Sequence, residues 1–300
     1  MSEPPGTAEE PSPANPRLAV GIVLTLAAGA TLAGMDAIGK RLTEDLNVLM
    51  VVWARYAFHT VIAFALLSAL GDLGYLRSRR PWAQTGRGAT MVVATLLMYW
   101  ALSSVPLADA SAIAFFSPVL VTLLAGVLLK ERVGPRRIAA VICGFLGVLL
   151  IVRPGFGGTD WHMLLPVGTA VLLAFYLLLT RHVSDVEQIR TTFFYSTVLG
   201  AVVLSLAVPF SWQTPTAHQF MLMTAMGGLG ALGHFLLVYG FRYAPASVLS
   251  PFLYSQLLIA TLISVVYFRD PLTLPMMVGT TVLVASGLYI WWRESGGRIR

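Results

Sequence analysis

Charge is what this 300-residue chain has least of: 11% of its residues are Asp, Glu, Lys or Arg, against roughly 25% in an average soluble domain. That scarcity excludes an ordinary soluble fold, because a chain this short with 57% hydrophobic residues has no core large enough to hide them. Cysteine is almost missing as well. Cys143 stands alone inside an apolar segment, which excludes an internal disulfide framework and a thiolate metal site. No Walker loop, H-E-x-x-H pair or G-x-S-x-G elbow occurs, so no metal, cofactor or ATP hydrolysis is expected in the chain itself. Gly228, Gly230 and Gly233 spell G-x-G-x-x-G, yet they fall in mid-segment with no strand before them, and close helix packing accounts for them better. A membrane-embedded enzyme needs intramembrane acids, histidines or a nucleophile clustered with a base, and a channel needs a filter pattern. Neither is evident, and the protein is expected not to be an enzyme.

What the chain does have is long apolar runs. Ten of them approach the roughly twenty residues a bilayer core requires: Leu18–Ile38, Val48–Leu70, Gly86–Ser104, Ala108–Leu129, Ile138–Val152, Met163–Thr180, Thr192–Phe210, Phe220–Phe241, Ser247–Phe268 and Leu274–Trp292. Each must satisfy its own backbone in lipid, so the expectation is an all-α integral membrane protein of ten transmembrane helices. Lys and Arg lie in short runs between the segments, fifteen on the side of the N-terminus and four opposite. That bias puts both termini in the cytoplasm, with the protein multi-pass in the inner membrane, and it leaves the net charge of +6 no role in nucleic-acid binding. Residues 1–17 are rich in proline and glutamate, which reads as a disordered cytoplasmic tail, and 294–300 as a basic one.

The stretch Tyr99 to Arg132 is a hairpin of two apolar segments around Pro106, with a charged stop at Lys130, Glu131 and Arg132. It returns as Val238 to Asp270, an offset of about 139 residues that sets Pro106 on Pro245 and Phe115 on Tyr254. The chain is therefore a duplication, with one repeat at 18–152, a linker at 153–160 and a second repeat at 161–293. Five helices per repeat is an odd number, so the copies enter the membrane from opposite sides. Inverted-topology repeats of this kind are typical of secondary transporters and place a binding site at their interface near the midplane.

An ionisable side chain inside a span is costly enough to be a functional hypothesis. Arg55 lies in the second segment with His59 one turn later on the same face, the alternative being an arginine that snorkels to the outer headgroups. Asp36 is read either as an interfacial ion pair with Lys40 one turn on, or as an acid at the outer mouth that meets Arg55 or a cationic part of a substrate. An offset of about 140 sets Asp36 on Tyr176 and Arg55 on Tyr195, so one wall of the site is ionic and the other aromatic. His234 is a candidate for a coupling proton or for an interhelical hydrogen bond. Trp100, Phe116, Tyr254 and Gln256 complete the expected substrate-binding set, with Pro118 and Pro251 as places where backbone carbonyls are freed.

At the hairpin and its echo the chain resembles the drug/metabolite transporter superfamily, specifically the EamA-type ten-helix carriers. The residues that carry this are Leu107 to Arg132, ending LLKERVGPRR, then IAAVICGFLGVLLIVRPG, and the YFRD ending of the second copy. MDAIGKRL and VVWARYAF, through Asp36, Lys40, Trp53 and Arg55, resemble a subgroup of S-adenosylmethionine, riboflavin and metallophore carriers. The resemblance implies a carrier for a small polar or zwitterionic metabolite in a lipid bilayer. The first four helices of each half would enclose the cavity, and the fifth and tenth would lie outside it. It leaves open export of a metallophore or amino-acid-like compound against import of S-adenosylmethionine or riboflavin, and it selects no oligomeric state.

Overall fold

The computed structural model describes residues 16–69, 74–128, 134–153, 161–184 and 186–295. Outside the described residues lie the expected tail over 1–15, the Lys130–Arg132 stop, most of the linker (154–160) and residues 296–300. Every regular element among the described residues is helical. The first half comprises α1 (Pro16–Thr43), α2 (Val48–Ala69), α3 (Pro81–Leu102), α4 (Leu107–Ala114), α5 (Ser117–Leu128) and α6 (Pro135–Val152). The second comprises α7 (Leu165–Ser184), α8 (Ile189–Ala207), α9 (Ala217–Gly240), α10 (Ala246–Leu249), α11 (Ser255–Val266) and α12 (Leu274–Ser295).

Helix starts follow local chemistry. Pro81 and Pro135 occupy first-turn positions, where a missing N–H costs nothing. Thr216 and Gln219 form a reciprocal capping box before α9. Eight stretches are long and apolar enough to cross a bilayer. Ten crossings are reached with α3, whose first turns carry Gln84 and Arg87, and with the shorter Ser250–Val266 stretch.

The fourth and ninth segments, expected as single helices, are each broken. Pro118 has no N–H to return to the Ala114 carbonyl, and the chain bends at Phe115 and Phe116 between α4 and α5. In the echo, the 3-10 turn Ser250–Tyr254 around Pro251 separates α10 from α11. Broken helices at membrane depth are tolerated where the backbone is buried in protein or lines a cavity.

Helix pairings reveal the symmetry. α1 packs on α9 as α7 packs on α3, α1 on α11 as α7 on α5, and α2 on α9 as α8 on α3. Two pairs join a helix to its own counterpart: α2 to α8 and α6 to α12. Within the first, Trp53 meets Ser205 while Phe64 meets Phe194, and within the last, Gly144 meets Ser286 while Ile151 meets Gly279. Both pairs are antiparallel. A two-fold axis along the helices would leave such mates parallel, so the axis lies in the membrane plane, and the halves form an inverted repeat.

Small residues allow the closest approaches. On α9, Gly233 faces Thr31 and Leu32 of α1, and Gly227 faces Phe58 of α2, so the rejected dinucleotide motif is a packing stripe. A Cβ on Gly279 would fall 2.5 Å from the Gly147 carbonyl oxygen, whereas one on Gly86 meets nothing within 4 Å. Gly279→Leu is therefore expected to destabilise the fold by about 1–3 kcal/mol through overpacking, and Gly86→Ala to leave it unchanged. Thermal unfolding in detergent measures both, and equal midpoints would contradict the α6–α12 contact.

Candidate functional site

A cavity of about 300 Å³ lies between the halves, bounded by α1, α2, α3, α4, α5, α7, α9 and α11 together with the 3-10 turn at Leu253. Neither α6 nor α12 reaches it. Its walls are mostly apolar, with Leu32, Met35, Met91, Met98, Phe115 and Leu173 among them, and a few polar groups converge on it.

Asp36 and Arg55 dominate that polar set, and both are 9% exposed. No ion pair joins them, since the salt bridges found among the described residues are those of Arg41 with Glu44 and Asp45. Tyr99 touches both. Its hydroxyl donates to Asp36 Oδ1 at 3.3 Å, and the Arg55 guanidinium lies 5.5 Å from its ring centre. Tyr99 reaches this place because residue 39 is glycine, whose missing Cβ would overlap the ring. Gly29, one helical face away, lets Ser255 and Gln256 close on α1 in the same manner, so that Gln256 Nε2 donates to Asp36 Oδ2 at 3.4 Å.

Both charges keep unused hydrogen-bonding capacity. Arg55 donates through Nη1 to Thr95 Oγ1 at 3.5 Å, although a guanidinium carries five N–H donors. The Asp36 carboxylate accepts two long bonds where it has room for about four. The arrangement can receive one anionic and one cationic group of a ligand.

Of the other residues expected at the site, Tyr176, His234 and Gln256 also line the cavity. His234 Nδ1–H donates to the Gly230 carbonyl at 2.8 Å. Tyr176 OH accepts from Arg87 Nη1 at 3.0 Å, and the Arg87 guanidinium lies 5.1 Å from its ring centre.

Four expected residues lie elsewhere. Trp100 is 50% exposed and meets Trp161 edge-on at 6.3 Å, as an interfacial aromatic does. Phe116 is buried in an apolar cluster with Val119, Val141 and Val148, and its neighbour Phe115 lines the cavity instead, because the bend between α4 and α5 turns that side chain inward. Tyr195 donates to the Leu76 carbonyl at 3.0 Å, beyond the cavity. Tyr254 stacks behind the wall, 5.6 Å from Phe115.

Lys40 is no partner of Asp36. Its ammonium donates to the carbonyls of Leu102 at 3.2 Å and Val105 at 2.8 Å, capping the end of α3 at the Ser103–Pro106 turn, where cations and unpaired carbonyls suit each other. Arg87 also departs from expectation. Counted among the loop cations, it is fully buried, donating to Gln84, Tyr176 and the Thr192 carbonyl. The signal was Gln84 three residues earlier, just before the expected span at Gly86, at the spacing that shares a helix face.

Comparison with known proteins decides the family. The sequence profile of the EamA-like transporter family matches residues 19–153 and again residues 160–292. The chain belongs to that family. It is thus a multi-pass membrane transporter, and the family and relatives' names point to transport and not to enzymatic chemistry. The EamA-type chain is 28% identical to a riboflavin transporter of Rhizobium johnstonii over 96% of its own length and 94% of the relative's. It is 25% identical to an S-adenosylmethionine uptake transporter of Rickettsia bellii, covering 92% and 94%, and 27% identical to a pseudopaline exporter of Pseudomonas aeruginosa, covering 77% and 81%. A solved crystal structure with 18% identity superposes over 90% of this chain and 95% of its own with a TM-score of 0.63, sharing the fold.

The placement of Lys40 yields a test. Lys40→Met strips a charge-assisted cap and is expected to lower stability by about 1.5–3 kcal/mol while leaving ligand affinity within a few-fold. Thermal unfolding and ligand titration on one preparation check this, and a ten-fold loss of affinity at unchanged stability would place Lys40 in the binding site instead.

Proposed function

We propose that this EamA-type transporter carries a small zwitterionic metabolite across the inner membrane by alternating access, with its termini in the cytoplasm. The observation that carries the reading is the pair of under-satisfied charges, Asp36 and Arg55, that line the cavity without a salt bridge to each other. An unpaired charge at bilayer depth costs several kcal/mol, and a ligand bearing both an ammonium and a carboxylate offsets both costs at once. Arg55 is the carboxylate site and Asp36 the cation site. Phe115 and Tyr176 flank the body of the ligand, with the thioethers of Met35, Met91 and Met98 as adaptable surface.

This favours substrates that carry an amino-acid group, the chemistry shared by S-adenosylmethionine and opine-type metallophores, over riboflavin, which has no such pair. The substrate passes unchanged. The repeats at 18–152 and 161–293 are the moving units. The bias of basic residues toward the terminal end supports the orientation, even with Arg87 withdrawn from the loops.

Counterflow in proteoliposomes with S-adenosylmethionine, methionine, an opine-type metallophore and riboflavin tests the reading. Asp36→Asn and Arg55→Gln are each expected to weaken transport of an amino-acid-bearing member at least ten-fold, about 1.4 kcal/mol. Unchanged transport in both variants, or transport of riboflavin alone, would overturn it.

A further inference from the structure

Beside the main cavity lies a small chamber of about 10 Å³, lined by Arg55, Tyr56, His59, Met91, Thr197 and His234 among others, room for about one water. Arg55 and His234 belong to both walls. His59 is 2% exposed, and its Nε2 has no hydrogen-bond partner. Its ring centre lies 5.3 Å from that of His234. Because His234 Nδ1–H is engaged by the Gly230 carbonyl, the neutral ring presents Nε2 as an acceptor. Gly230 also admits His59, whose Nδ1 would lie 3.2 Å from a Cβ there. Two imidazoles, one with a nitrogen that has no hydrogen-bond partner, thus share a chamber that adjoins the substrate site.

We propose that His59 and His234 together form a proton-binding site that is loaded in step with the substrate carboxylate on Arg55, so that the carrier moves a proton with its substrate. This rests on Arg55 being the carboxylate site. The groups facing the pair are Arg55 and Tyr56 from α2, His234 from α9, Tyr176 from α7, Phe193, Ser196 and Thr197 from α8, Met91 from α3 and Met35 from α1. Arg55 is the charged group in that set and stands one helical turn from His59. An adjacent cation opposes the formation of an imidazolium, and a carboxylate seated on Arg55 cancels that opposition. Anion and proton therefore bind cooperatively, and by linkage each favours the other equally. The proton is taken from water at one face and returned to water at the other, with no bond to the substrate made or broken.

The test uses full-length protein in liposomes containing pyranine, with S-adenosylmethionine, methionine and an opine-type metallophore as probes. Wild type is expected to acidify or alkalinise the lumen in step with probe movement and to accumulate probe against its gradient when a pH gradient is imposed. His59→Gln is expected to exchange the probe by counterflow and to bind it with an affinity that no longer rises as pH falls, while losing proton movement and pH-driven accumulation. A purely structural role for the pair would lower folding yield and leave that coupling intact in the protein that folds; should His59→Gln not fold, His59→Asn carries the same comparison. Probe movement by wild type without proton movement, or coupled accumulation retained by the variant, overturns this proposal alone. Failure of wild type to move any probe overturns the zwitterion reading and this proposal with it.

Discussion

Holding Asp36 and Arg55 at the depth of the hydrocarbon core is the constraint on which the rest of the arrangement depends. Each charge is desolvated at a cost of several kcal/mol, and in place of a direct ion pair Tyr99 touches both groups. Much of the surrounding sequence serves that placement. Gly39 admits the tyrosine, Gly29 admits Gln256, and Thr95 meets both Arg55 and Tyr56. At the Ser103–Pro106 turn Leu42, Leu102, Val105 and Leu107 pack together, with Lys40 tying the turn. Charges left incompletely matched inside a dry, closed scaffold are available to a ligand in a way that paired ones are not.

The two-fold relation between the halves explains why a transporter can be built from one unit used twice, and its imperfections give the site its character. Where the first half has Asp36 and Arg55, the second has Tyr176 and Tyr195. The two tyrosines have different fates: Tyr176 faces the cavity with Arg87 behind it, and Tyr195 anchors the Leu76 carbonyl outside it.

Much of the fold was legible because the bilayer leaves few choices. Ten apolar runs, a charge bias and a repeat offset lead to an inverted ten-helix bundle, since lipid enforces helices and the odd number of crossings enforces inversion. The cavity-facing positions of Asp36, Arg55, Tyr176, His234 and Gln256 were legible too, because polar side chains in a span have few places to go. Aromatic residues carry no such constraint. Trp100 and Phe116 suit lipid, core or cavity equally, and the choice between Phe115 and Phe116 depends on a bend that shifts the helical register after α4. Arg87 was assigned to a loop because only a tertiary partner, the Thr192 carbonyl, distinguishes a buried helix start from a solvated one. Lys40 followed the same logic in reverse, since nothing four residues away announces a carbonyl sixty-two positions on.

The bond from Gln256 to Asp36 has a meaning beyond its modest strength. It runs from a broken helix of the second half to an intact helix of the first, and if a zwitterion is the cargo, as proposed, it occupies the oxygen that the ammonium group would seek. Occupying the site is therefore an exchange, in which a strut between the halves is traded for a contact with cargo. The affinity measured for any ligand is the difference between the two, so a weakly held cargo and a loosened hinge are one event seen from either side.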